Sequence, residues 1–374
     1  MTRSRTVLQV LPRLVTGGVE RGTVEVTAAL VAAGWTALVV SAGGAMVREI
    51  EAAGGTHIEL PLASKNPLVM WRNVDRLVEV IRHYNVGVVH ARSRAPAWSA
   101  YYATRRAACP FVTTCHNAYG GKLWLKRRYN SVMAKGDRVI AISDFVADYA
   151  RKTYDVPEKI LRVIPRGVDI GRFDPAKVAP ERVHALRQAW NIDEGKPVIM
   201  LPGRLTRWKG QTVFIEALAR LTGDDFQALI VGSGDADYRR ELESLIERHR
   251  LRDKVRLVDE CRDMPAAFRL ADLVVSASTR PEGFGRVIVE AQAMGCPVIA
   301  TEHGGARETV LDCQTGWLVP SGDIEALAST MKMALDLSTD NRARMTEQAI
   351  THVRTHFTTA LMTARTLAVY EELL

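Results

Sequence analysis

The strongest constraint on the fold is a rhythm. Short apolar runs rich in β-branched residues alternate with longer helical patterns, and the series runs twice. The first series predicts strands at Thr6–Leu11, Ala37–Ser41, Ile58–Leu60, Val86–His90, Phe111–Cys115, Arg138–Ile142 and Leu161–Ile164. The second predicts strands at Pro197–Leu201, Phe226–Val231, Val255–Val258, Leu273–Ser276 and Pro297–Ala300. Helical patterns such as Glu20–Ala33, Ala95–Ala108, Thr212–Leu221, Tyr238–Arg248 and Arg286–Met294 separate them. Continuous apolar strands joined by helices are parallel strands buried on both faces. Two such series predict an α/β fold of two doubly wound domains. The boundary is expected near Arg166–Val183, where Pro165, Pro175 and Pro180 gather among Gly and Asp. In such sheets ligands bind beyond the carboxyl ends of the strands, so functional residues are expected in the loops that follow them.

Charge divides with the halves. Residues 1–180 hold 26 Lys and Arg against 14 Asp and Glu, and residues 181–374 hold 24 against 28. A first half at +12 suggests an anionic partner: lipid headgroups, a phosphorylated glycolipid or nucleic acid. Scattered solvated charge is the plain alternative. No run reaches the roughly 18 apolar residues that span a bilayer. The start, MTRSRTVLQVLP, lacks a full apolar core and a cleavage site, and reads as a first strand. Five scattered cysteines without CxxC fit neither a disulfide framework nor a zinc site, and suit a reducing cytoplasm.

Five stretches carry chemistry. In VTGGVERG, Gly17 and Gly18 open a helix after the first strand, where bare backbone amides can approach a phosphate. In LPGRLTRWKGQ, Arg204 and Lys209 flank a loop after a strand, a planar fork and a point charge suited to a diphosphate. Neither is a dinucleotide fingerprint or a P-loop. In VGSGDADY, Gly232 follows a strand. Asp235 and Asp237 could clamp Mg²⁺, but capping of the next helix is the preferred reading. In RPEGFGRVIVE, Glu282 lies in a turn with Gly283, Phe284 and Gly285, while Glu290 projects from the helix. That spacing suits two hydroxyl partners, a sugar and a ribose, better than glycoside hydrolysis, which needs two acids facing one bond. His116 and His90 each end a strand. The Gly120-Gly121 pair after His116 favours a working role for it, and His90 stands against a satisfied buried histidine. GGKLWLKRRYN mixes basic residues with Leu123, Trp124, Leu125 and Tyr129 and is a candidate for membrane-surface contact.

Taken in order, GGVERG, GRLTRWKGQ, VGSG and EGFGRVIVE, followed by HGGARE and GWLVPSGD, resemble the retaining glycosyltransferases of family four. The resemblance covers essentially the whole chain, and the Glu-x7-Glu and Gly-Arg-x4-Lys-Gly spacings in this order are its specific part. It implies the GT-B fold: two Rossmann-like domains facing each other across a cleft. Residues 1–175 and a final helix at about 357–374 would form the acceptor domain, and 176–356 the donor domain. It implies a nucleotide diphosphate sugar donor of UDP, GDP or ADP type, used without a metal cofactor. Arg204 and Lys209 would hold the diphosphate, Glu290 the ribose, and Glu282 with the Gly283, Phe284 and Gly285 amides the sugar. Arg262 and Met264 would flank the base, near Gly232. Gly17 and Gly18 would close on the phosphate, and His116 would stand beside the anomeric carbon. Catalysis would fall to His116, Glu282, Arg204 and Lys209. HARSRAPAWSAYYATRR is similar to members that build lipopolysaccharide core or surface polysaccharide, implying an anionic glycolipid or glycan acceptor. The expected place is the cytoplasm, at the inner face of the membrane. A sugar-nucleotide epimerase, an inactive sugar-nucleotide binder and a nucleic-acid binder are the alternatives.

Overall fold

The computed structural model describes residues 4–119, 124–221, 223 and 225–374. The chain forms two compact units, Met1–Arg166 with Thr359–Leu374, and Gly167–Thr358. The division falls ahead of residue 175. Phe173 is buried and its ring lies 6.2 Å from that of Phe268, which ties the connecting stretch to the second unit.

The first unit is built on strands β1 (Thr6–Val10), β2 (Thr36–Ser41), β3 (Thr56–Glu59), β4 (Val88–Ala91), β5 (Phe111–Cys115), β6 (Arg138–Ala141) and β7 (Leu161–Val163). All pair in parallel, in the order β3-β2-β1-β4-β5-β6-β7. β1, β4 and β5 are buried at every residue, as strands covered by helices on both faces must be. The strand order reverses between β1 and β4. The last helix, Thr359–Glu371, returns to this unit. Its Tyr370 is wholly buried in a cluster with Val7, Leu30, Trp35 and Val88.

The second unit holds β8 (Val198–Pro202), β9 (Gln227–Val231), β10 (Val255–Val258), β11 (Leu273–Ser276), β12 (Val298–Thr301) and β13 (Trp317–Val319). Their order is β10-β9-β8-β11-β12-β13, again parallel, reversing between β8 and β11. β13 is a strand that the apolar rhythm does not reveal, because only three residues stand between Gly316 and Pro320. Among the described residues no helix is long and apolar enough to cross a membrane.

Candidate active site

In the second unit the loops after β8 and β11 flank the reversal of strand order, where open sheets receive ligands. The β8 loop carries Arg204 and Lys209, and the β11 loop carries Ser278 and Glu282. These loops meet. Lys209 Nζ lies 2.7 Å from both carboxylate oxygens of Glu282. Ser278 Oγ donates to the same carboxylate. The cation and the acid for which the sequence suggests separate ligand groups thus form one forked pair, with side chains 15% and 20% exposed. Arg204, on the same loop, is exposed and makes no ion pair among the described residues.

Behind this pair the backbone is packed closely. Gly304 has φ 60°, and a Cβ there would stand 2.3 Å from the Glu282 carbonyl oxygen. Gly305 N donates to that oxygen at 2.9 Å. The His303-Gly304-Gly305 turn after β12 therefore fixes the Glu282 backbone, a role that motif spacing alone does not disclose. Gly232 does similar work one strand over: a Cβ there would lie 2.2 Å from Gly203 O, so the loops after β8 and β9 can come this close at that point only because it is glycine.

Gly283, Phe284 and Gly285 lead into the helix Arg286–Ala293, with Gly285 at its N-cap and φ 83°. Phe284 is a core residue, 3% exposed, set edge-on to Phe357. Glu290 sits on that helix, mostly buried, and accepts from Arg286 Nε at 3.1 Å. Asp235 caps the helix Ala236–Arg248 by accepting from Tyr238 N at 3.0 Å, and Asp237 pairs with Arg240. The Asp-Ala-Asp string thus serves as a helix cap and an ion pair. Arg262 is exposed and Met264 opens the helix Met264–Leu270, whose cap Asp263 is held by both arms of Arg182.

In the first unit Gly17 caps the helix Gly18–Ala32 after β1, and His116 follows β5. His116 Nδ1 lies 2.9 Å from Arg166 Nη2. A guanidinium only donates, so Nδ1 accepts and neutral His116 carries its proton on Nε2. That Nε2 is out of solvent and has no side-chain partner among the described residues, with the Arg92 backbone as its polar neighbour. Arg92, 2% exposed, lies beside Arg166. A Cβ on Gly22 would come within 2.1 Å of Arg166 Nη1 and 2.9 Å of Arg92 Nη2, so the helix approaches the two arginines only through glycine. Burial first, then Arg166 and Arg92, hold the His116 pKa well below the usual histidine range. Sequence reading places Arg166 in a linker and misses it. Its signal is its place just beyond β7, like His116 beyond β5.

His90, by contrast, is structural. It is wholly buried, and Nδ1 and Nε2 lie 2.6 Å from Tyr370 Oη and 2.6 Å from Thr114 Oγ1. Gly120, Gly121, Lys122 and Leu123 lie outside the described residues.

Two doubly wound units, each with its polar side chains gathered beyond the strand ends, define a Rossmann-like, two-domain ligand-binding protein of the kind seen in GT-B enzymes. The Glycosyl transferases group 1 family profile matches residues 183–352 and the Glycosyltransferase Family 4 profile matches residues 16–172. A glycosyltransferase from Rickettsia africae, solved as a crystal structure, is 39% identical, with TM-score 0.92 over 100% of this chain and 99% of that one. An Anabaena protein solved in complex with UDP is 25% identical, with TM-score 0.86 over 98% and 100% of the two chains. A D-inositol 3-phosphate glycosyltransferase of Xylanimonas cellulosilytica is 31% identical over 69% of this chain and 65% of that protein. The chain belongs to the glycosyltransferases.

Proposed function

We propose that the chain moves a sugar from a nucleotide diphosphate sugar to an acceptor hydroxyl with retention of anomeric configuration, in lipopolysaccharide or surface-polysaccharide assembly. The observation that carries this reading is the Lys209–Glu282 pair across the β8/β11 reversal, with Arg204 on the same loop. Departure of the nucleotide diphosphate builds charge on its β-phosphate. A lysine already held by a carboxylate is a preorganised cation and needs no reorganisation when that charge develops. Arg204, exposed on the same loop, supplies the fork. In this reading Glu282 and the Gly283, Phe284 and Gly285 amides hold the donor sugar, and Glu290 takes the ribose hydroxyls. The base rests near Gly232, Arg262 and Met264.

Gly17 and Gly18 of the first unit are assigned to the phosphate and His116 to the reacting carbon. The Nε2 proton of His116, buried and without a side-chain partner among the described residues, is a donor suited to a sugar oxygen. With the departing phosphate taking the acceptor's proton, no enzyme nucleophile is required. Two cations supply the charge a metal would otherwise bring, so the proposal is metal-independent. The relatives support the ligand classes: the Anabaena structure was solved with UDP, and the Xylanimonas protein is named for D-inositol 3-phosphate, an anionic acceptor. We take the donor as a UDP sugar and the acceptor as an anionic glycolipid on the cytoplasmic face of the membrane.

A thermal-shift panel of UDP, GDP and ADP, with and without EDTA, tests the donor half, because a ligand stabilises only the state that binds it. UDP should raise Tm in EDTA, and Lys209→Ala should remove the shift. An undiminished shift in that variant would overturn the assignment.

A further inference from the structure

Between Val80 and Gly136 the sequence has ten Lys and Arg and no Asp or Glu. On the first unit this stretch joins a second peculiarity. Leu68 (73% exposed), Trp71 (57%), Tyr102, Trp124 (67%), Leu125 (62%) and Tyr129 are exposed large apolar side chains, and they account for most of those on this unit. They come from three helices, Pro67–His83, Arg94–Ala107 and Trp124–Asn130. The helices are fastened together. Trp98 Nε1 donates to Tyr129 O at 2.9 Å, Arg94 donates to Asn130 at 3.0 Å, and Ser99 donates to Met70 O at 2.8 Å. Between them lies a groove of about 500 Å³ lined by Met70, Trp71, Tyr102 and Tyr129 with Lys65 and Arg128.

Isolated exposed apolar residues are ordinary, but a cluster of this size with aromatic character and an excess of cations, Asp75 being paired with the Arg106 that stacks on Trp71, is a binding surface. Lys65, Arg72, Lys126 and Arg128 around it are exposed and make no ion pair among the described residues. Cations without acid partners beside Trp, Tyr and Leu match one chemistry well. Anionic headgroups take the charges, aromatic rings lie at the headgroup level, and leucines enter the acyl boundary.

The geometry points to this face as the surface by which the protein rests on an anionic lipid bilayer, with the groove receiving lipid chains at the boundary. This deepens the reading of a membrane-borne anionic acceptor by naming the docking face. It reaches beyond the basic helix to Leu68, Trp71 and Tyr102.

Cosedimentation of the full chain tests it, using vesicles of phosphatidylcholine alone and of equimolar phosphatidylcholine and phosphatidylglycerol. The wild type should bind the anionic vesicles, more weakly in high salt. Combined Lys65→Glu, Arg72→Glu, Lys126→Glu and Arg128→Glu should lower partitioning by on the order of a hundredfold. Combined Trp71→Ala, Trp124→Ala and Leu125→Ala should lower it by about tenfold or more with charge unchanged. Reversing the exposed Arg248 and Arg252 of the second unit should leave it unaltered. Equal binding to neutral vesicles, or wild-type binding by either face variant, overturns the proposal. So does retention of heparin or RNA without vesicle binding, or self-association that buries the six apolar residues. The UDP thermal shift of the same variants separates the two readings. A face variant that loses vesicles but keeps the UDP shift fails neither, whereas loss of the UDP shift in Lys209→Ala does not bear on docking.

Discussion

Lys209 is asked to hold a carboxylate and a phosphate with one ammonium. Both Glu282 oxygens lie 2.7 Å from Nζ, leaving donor capacity for an incoming oxygen. Lys209→Ala removes that donor and strands Glu282 as a mostly buried carboxylate held by Ser278. Steady-state kinetics should show kcat/KM lower by about a hundredfold, roughly 2–4 kcal/mol of lost transition-state stabilisation. Turnover near wild type would sink the reading. Arg166 acts at one remove, through His116. By donating to Nδ1 it places the imidazole proton on Nε2, and its charge opposes protonation of the ring. Arg166→Met takes away both. The His116 pKa should rise toward 6.5, so the acid limb of kcat should move to higher pH. Nitrogen NMR of His116 should then report mixed tautomers. A limb and spectrum unmoved in a folded variant would make Arg166 merely structural.

Among the elements, the returning helix Thr359–Glu371 is tied to the sheet through one phenol. Tyr370 Oη meets His90 at the end of β4 and also supports the buried Arg92. Tyr370→Phe keeps the ring and deletes the hydroxyl, leaving buried polar groups without a partner. Urea unfolding should show a loss of about 1–3 kcal/mol, and a change below about half a kcal/mol would contradict the latch. This helix was legible from sequence as an element. Its anchor was not, because Tyr370 and His90 stand 280 residues apart. The same contrast runs through the fold. Strands such as Phe111–Cys115 announce themselves because both faces are buried and every residue is apolar or β-branched. β13 gives no such signal in three residues. The loops bearing Arg204, Lys209, Glu282 and Glu290 were legible as residue types at strand ends. That Lys209 closes on Glu282 was not, since the contact crosses 73 residues and is made by sheet order.

At the scale of the whole molecule, buried histidine is distributed as unequally as charge. The first unit contains His90 and His116, both held well below the usual histidine range by burial, then by neighbouring arginines, and His57, lowered by burial. In the second unit only His352, partly buried, has a lowered value among the described residues. A lowered native pKa means that the unfolded chain binds protons near 6.5 while the native chain does not. Stability contributed by the neutral rings is therefore full above the unfolded value and falls as pH drops below it. The limiting slope is about 1.4 kcal/mol per pH unit for each such histidine. Glu372 adds to the same unit at lower pH. Its hydrogen bonds to Arg162, then to Arg138, hold its pKa at about 2, so its contribution is lost as pH falls below the ordinary carboxylate value of 4.5. Opening free energies from hydrogen exchange should consequently decline in β4 and β5 between about pH 7.5 and about pH 5.5 by roughly 2–3 kcal/mol, the sum for His90 and His116, and less in β8 and β11. Equal decline in the two sheets, or none in the first, would show that these imidazoles gain protons without opposing the native packing.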